Sequence, residues 1–227
     1  MKLITLLILI CVKLTNERHF KGGSMSYKPI QKMDKSFLVE VETHFSWLRS
    51  NGPSFYCNQT MVDSSSVELG EKFSILCSQG CDKTRQTLFD LKNNLFTTST
   101  FCMSWSIDDD WSLGAKKTQL FLPAARNLEL SFASNSWIAL AQNGLHSANP
   151  ASASNFELRL SLNLLERNDT GKINSSPTTL VPPVFKLAFG FKHQIRIPVL
   201  DEDNDVIRCR WASHIKKECA GFSFSTV

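Results

Sequence analysis

The chain has little of what marks a catalyst, a nucleic-acid binder or a membrane-spanning protein. It holds no Gly-x-Ser-x-Gly elbow, no His-Glu-x-x-His pair and no phosphate-binding loop, so no familiar hydrolase, zinc-protease or nucleotide signature applies. Charge of one sign is not concentrated either. The 25 Lys and Arg are interspersed with 21 Asp and Glu, and the net +4 forms no stripe that would follow a phosphate backbone. No apolar run approaches the roughly 20 residues that cross a bilayer as a helix. Tandem repeats and low-complexity tracts are lacking, and helical spacing is confined to residues 83–94, where Leu88 and Leu91 stand three apart. What remains is a chain of 227 residues, long enough to bury a real core.

Residues 1–15 read as an address. Lys2 precedes a short apolar run whose uninterrupted part, Leu6 to Val12, is far too brief for a span, which is the pattern of a cleavable secretory signal peptide. Export changes the meaning of the cysteines. Of seven, Cys11 lies in the leader; Cys57, Cys77, Cys81, Cys102, Cys209 and Cys219 remain, an even number that an oxidising compartment pairs as disulfides. Sequence alone leaves the connectivity open. Because Cys209 and Cys219 stand far from the other four, one local bridge between them and two bridges within residues 57–102 are expected. Zinc is the competing use of Cys77 and Cys81, yet no second pair stands at zinc-finger distance, and His44 and His146 are isolated. Export also gives weight to three Asn-x-Ser/Thr triplets, at Asn58, Asn168 and Asn174, which as glycan acceptors belong to surface loops.

Period-2 alternation is the main structural signal. In residues 36–47, Phe37, Val39, Val41, Thr43, Phe45 and Trp47 alternate with Leu38, Glu40, Glu42, His44 and Ser46, which predicts a half-buried strand with a solvated His44. Burying the five large side chains of that row contributes roughly 8–15 kcal/mol before conformational entropy is subtracted, so the strand should be central to the core. Residues 156–164 repeat the pattern with Phe156, Leu158, Leu160, Leu162 and Leu164. Shorter strands are predicted at 72–77, 95–107, 118–122, 128–132 and 136–141, separated by turn-forming residues. Many strands with turns between them predict an all-β fold, a β-sandwich over residues 18–175. A Ser/Thr/Pro-rich stretch at 176–183 reads as a linker. Beyond it, predicted strands at 183–187, 194–199 and 206–211 would open a second β-domain over 184–227. That length is short for a domain closing a core unaided, as in a fragment, a truncated reading frame or a naturally short relative.

The sharpest cluster of chemistry-bearing residues is Asp201, Asp203 and Asp205, with Glu202 and Asn204 between them. Alternate acidic residues on a turn can converge their oxygens on a hard cation, and Ca²⁺ is the candidate. The EF-hand is excluded, because its glycine and bidentate glutamate positions hold Val206 and Ala212. The alternative is a plain solvated turn, since Asp and Asn favour turns through local hydrogen bonds to the backbone. Asp108, Asp109 and Asp110 read as a second surface turn. Five Trp and sixteen Phe could furnish a ligand groove, although aromatics at alternate strand positions are more often core.

Three segments carry a resemblance. They are His19-Phe-Lys-Gly-Gly-Ser24 with Tyr27 and Pro29, the stretch Arg167-Asn-Asp-Thr-Gly-Lys-Ile-Asn-Ser-Ser-Pro177, and His193-Gln-Ile-Arg-Ile-Pro-Val-Leu-Asp-Glu-Asp-Asn-Asp-Val-Ile-Arg-Cys-Arg-Trp-Ala212. Over most of residues 18–221 the chain resembles a family of modular animal extracellular proteins, found mostly in aquatic species, whose roles are largely uncharacterised. Members are often longer and sometimes end in a membrane span. By that resemblance the acidic turn is similar to those of cadherin-like β-sandwich repeats, where calcium rigidifies junctions between domains, and residues 184–227 would be an incomplete cadherin-like or immunoglobulin-like β-domain. The chain departs from the family at Asn204, where members carry Gly, and at Phe222 and Ser223, where they carry a further cysteine.

The function expected is a non-catalytic extracellular recognition or adhesion module, stiffened by calcium if the turn binds it. Its partner would be an extracellular protein or a glycan, with no nucleic acid, and with a membrane only if a longer form carries a C-terminal span. The alternatives are a lectin, which would expose Trp111 or Trp137 beside polar loops, and a secreted enzyme, which would gather ionisable groups in a concavity.

Overall fold

A computed structural model of the chain describes residues 19–80, 95–125, 127–138 and 155–212. The leader, the helically spaced stretch at 83–94, and Cys81, His146 and Cys219 lie outside them. The described chain is nearly all β. Its elements are β1 (Phe20–Lys32), β2 (Ser36–Leu48), two 3₁₀ turns (Arg49–Asn51 and Pro53–Phe55), the helix α1 (Gln59–Ser64), β3 (Glu68–Leu69), β4 (Leu76–Gln79), β5 (Thr100–Ser106), β6 (Trp111–Pro123), β7 (Leu128–Ser134), β8 (Phe156–Leu162), β9 (Thr178–Thr179) and β10 (Val199–Leu200). An antiparallel five-stranded sheet in the order β1-β2-β6-β5-β3 faces a three-stranded sheet in the order β4-β7-β8, and β9 pairs with β10 alone.

The alternation in β2 decides the core. Phe37, Val39, Val41, Phe45 and Trp47 are all buried on its inner face, as predicted, and β2 pairs along its whole length with β6. Burial of the same period appears in β8, where Phe156, Leu160 and Leu162 point inward and Leu164 continues the row beyond the strand. The sheets meet through aromatic rings. Phe20 of β1 stacks on Phe156 of β8 at 4.4 Å between centroids, and Phe45 of β2 meets Phe132 of β7 edge-on at 5.7 Å. Such pairs add about 0.5–1.5 kcal/mol each beyond the area they bury. In β6, Gly114 is required by close approach. A Cβ there would run into the Thr100 side chain and the Phe101 carbonyl of neighbouring β5.

Several predicted elements are corrected. The 13-residue β1 was not predicted as a strand, because Gly22, Gly23 and Pro29 interrupt its alternation and its register with β2 shifts at both places. It pairs because β2 offers a continuous ladder beside it. The strand predicted at 136–141 is, over its described part, a single bridge from Trp137 to Phe20. From residue 183 onward the predicted strands at 183–187, 194–199 and 206–211 are not formed, save for Val199, which with Leu200 makes up β10. Those segments have no neighbouring strand among the described residues against which to satisfy their backbone. The predicted linker also does more than span. It contains β9, and Ser176 bonds across to β1, its N–H donating to the Tyr27 carbonyl at 2.9 Å and its Oγ accepting from the Tyr27 N–H at 2.7 Å.

Candidate functional site: a strapped cleft and its acidic anchor

The outer face of β1 and β2 is polar and small: Gly22 and Ser24 on one strand, opposite Ser46 and His44 on the other. Residues 179–185 run across this face. Between strap and sheet lies a cleft of about 380 Å³ lined by Lys21, His44, Ser46, Leu113, Trp137 and, from the strap, Leu180 to Pro183 and Phe185. This volume falls within the range of small-ligand clefts, roughly 300–1,000 Å³. The strap explains why His44, predicted to be solvated, is buried. Desolvation holds its pKa below the ordinary value of 6.5 against the opposing pull of Glu42, whose carboxylate lies 3.6 Å from Nε2. Burial likewise lowers the pKa of Lys21, with Asp110 and Asp109 pulling the other way. Ser24 stands opposite His44 in the ladder, yet among the described residues no hydrogen bond joins the two side chains.

The strap is pinned at both sides. Lys21 Nζ donates to the Asp109 carbonyl at 2.7 Å from the floor, and Lys186 forms an ion pair of 2.5 Å with the Asp109 carboxylate from the strap. The aspartates at 108–110 form the predicted turn, and Asp110 also accepts from the Ser50 N–H at 2.8 Å. At the far end stands the 201–205 turn. Asp201 Oδ1 accepts from the N–H groups of Asp203 and Asp205, at 3.1 and 2.9 Å, which folds the turn on itself. Asn204 takes φ +57° there, a left-handed position that Gly favours and Asn tolerates. Asp203 Oδ2 accepts from the Ser175 N–H at 2.6 Å. Asp205 receives both oxygens' bonds from Arg167 Nη1, at 2.9 and 2.8 Å, and Glu202 pairs with Lys28 of β1 at 2.6 Å. Arg167 also binds Asp169 and Asn174; the carboxylates of Asp169 and Asp205 raise its pKa, and it in turn lowers that of Asp169.

Asp201, Asp203 and Asp205 are thus brought to one turn, but their oxygens are directed to backbone amides and to a guanidinium. Among the described residues no three His, Cys, Asp or Glu side chains are grouped so as to hold a metal ion. Arg167 supplies at Asp205 the positive charge that a cation would supply. No local pattern in the sequence signals its part in the turn, because its partner lies 38 residues away.

Of the cysteines, Cys57 and Cys102 form a disulfide that ties the loop before α1 to β5, with Cα atoms 5.8 Å apart. Cys77 is also disulfide-bonded, to a partner outside the described residues, which removes it as a zinc thiolate. Cys209 corrects the expectation of a bridge to Cys219: it is an exposed free thiol. Residues 206–212 around it are exposed and belong to no helix or strand. The three glycan-acceptor asparagines stand at different depths. Asn168 is exposed; Asn58 caps α1, its Oδ1 accepting from the Met61 N–H at 3.0 Å; Asn174 donates from Nδ2 to the Ser175 carbonyl at 2.8 Å.

A second, polar cleft of about 370 Å³ opens at the sandwich edge, lined by Tyr27, Gln79, Asn127, Glu129, Ser161, Asn163 and Asn174 among others. Desolvation raises the Tyr27 pKa there, with nearby Asp203 acting in the same sense. Sequence reasoning missed both clefts, since neither is assembled from neighbours in the chain. No helix among the described residues is long and apolar enough to cross a membrane. No protein-family model, curated protein or solved structure matches this chain.

Proposed function

We propose that the protein is a non-catalytic extracellular recognition or adhesion module whose ligand enters the strapped cleft. The observation that carries this reading is the cleft itself. Apolar Leu113, Trp137, Leu180, Val181, Pro182, Pro183 and Phe185 surround a floor of small polar residues, a lining suited to an apolar side chain of a protein partner. The Cys57–Cys102 disulfide is the kind of bond an oxidising compartment sustains, which supports export. A recognition role is favoured over catalysis because the buried His44 faces Glu42 and has no hydrogen-bonded nucleophile among the described residues. The acidic turn then serves as an anchor locked by Arg167, with calcium as a competing lock.

A glycan is the second reading, and the polar cleft favours it: four amides, a phenol, a hydroxyl and a carboxylate around one concavity are groups that bond sugar hydroxyls. Screening the purified protein against arrays of extracellular proteins and of glycans, with and without calcium, separates the two. Protein hits should be lost in Ser24→Trp, which fills the strapped cleft, and kept in Asn163→Ala. The reverse pattern places the ligand in the polar cleft, and turnover of a substrate by the wild type would overturn the non-catalytic reading.

A further inference from the structure

The hairpin between β9 and β10 is built unlike the rest of the molecule. The chain reverses at Phe189 and Gly190, and His193 Nε2 bonds to the Ala188 carbonyl at 2.8 Å across the turn. Phe189 is 102% exposed and Phe191 75%, and Leu187, Ile195 and Ile197 are exposed as well. Gly190 has φ +83°, and a Cβ there would meet nothing within 4 Å, so the glycine serves the turn and not close packing. The turn therefore holds two phenyl rings out in water.

Charge is sorted along the same hairpin. Residues 176–200 contain Lys186, Lys192 and Arg196 and no acidic residue, whereas Asp201, Glu202, Asp203 and Asp205 gather at its root. Lys186 is taken by Asp109, while Lys192 and Arg196 form no ion pair among the described residues. A basic, aromatic tip on an anchored root matches an interface that is apolar beneath and negative above. We infer that the tip docks on an anionic phospholipid surface, with the Phe189 and Phe191 rings at the boundary between headgroups and acyl chains and with Lys192 and Arg196 over the phosphates. A second copy would set like charges against each other, and a sulfated glycan would satisfy the cations but leave the rings in water. The inference does not depend on the cleft.

Co-sedimentation of the whole chain with vesicles tests it. Binding is expected to phosphatidylcholine vesicles containing phosphatidylserine and not to phosphatidylcholine alone. Phe189→Ser with Phe191→Ser should abolish it at an unchanged melting temperature, because the rings are unburied. Lys192→Gln with Arg196→Gln should weaken it roughly thirtyfold, at about one kcal/mol per cation. Failure to bind either vesicle, indifference to the lipid charge, or binding that survives loss of the rings would each overturn the proposal. So would a dimer in sedimentation velocity that disappears with the two rings, since the hairpin's occupant would then be a second copy.

Discussion

His44 shows how one position is decided by what lies over it. Its place in the β2 alternation is on the polar face, and that part of the prediction holds, since the opposite face forms the core. The strap then buries it. Because burial depresses the folded-state pKa, the unfolded chain binds a proton that the folded chain refuses once the pH falls below about 6.5, and stability drops until the folded imidazole also protonates. Melting temperature should therefore fall between about pH 7 and pH 5, and His44→Gln should flatten that slope. An identical slope in the variant would remove His44 as its source. Glu68 acts in a different window. Its pKa is lowered mainly by its hydrogen bond to Lys72, so its stabilisation is lost only as the pH falls below its ordinary value of 4.5. It also lies 3.6 Å from Lys116, a buried lysine at an inward position of β6. Glu68→Gln leaves that ammonium without its counter-charge, and a loss of about 2–3 kcal/mol in urea unfolding is expected. No change would mean that Lys116 has another partner.

At the scale of elements, strands with strong alternation were legible and strands without it were not. Residues 36–47 and 156–164 reappear as β2 and β8 with the predicted faces inward. The strand predicted at 118–122 grew to the 13 residues of β6, because its N-terminal half carries Ser112, Gly114 and Lys116 at the inward positions. Those residues give no apolar period. β1 fails the period test and forms by pairing with β2. The loop from Arg49 to Ser64 has almost no strand pairing of its own, and the Cys57–Cys102 disulfide holds it to β5 across 45 residues of sequence. For a loop of that length the chain-entropy estimate is about 4 kcal/mol. Cys57→Ala with Cys102→Ala should lower stability by about that amount, and equal thermal stability of variant and wild type would show that packing alone holds the loop.

For the whole molecule, the question is what keeps residues 176–212 on the sandwich. They bury few side chains, so attachment rests on polar links: Ser176 to Tyr27, Lys186 to Asp109, Lys28 to Glu202, and the Arg167 cluster. Arg167 has the most partners, binding Asp169, Asn174 and Asp205 at once. Arg167→Ala should free the 201–205 turn, read as faster amide hydrogen exchange at Asp203 and Asp205, whose N–H groups bond to Asp201, with β7 and β8 unchanged. Exchange rates equal to wild type would show that the turn stands without the arginine. The same variant tests calcium as the competing lock. Calorimetry should give no heat with wild type at millimolar calcium; heat in wild type that grows in Arg167→Ala would show the ion and the guanidinium sharing Asp205.

The amino-acid sequence determined, by itself, that the chain is all-β, which faces of β2 and β8 turn inward, and that residues 201–205 make a turn. Each is encoded by neighbours within a few residues, through alternation or through side chains that bond to their own backbone. The tertiary structure alone decided that β1 joins the sheet, that His44 is buried, that Cys209 stands unbridged and that Asp205 faces an arginine. Those outcomes depend on groups dozens of residues apart, and no local pattern records which distant surface will arrive. Arg167 and Asp205, 38 positions apart, meet because the strap crosses the sheet and returns.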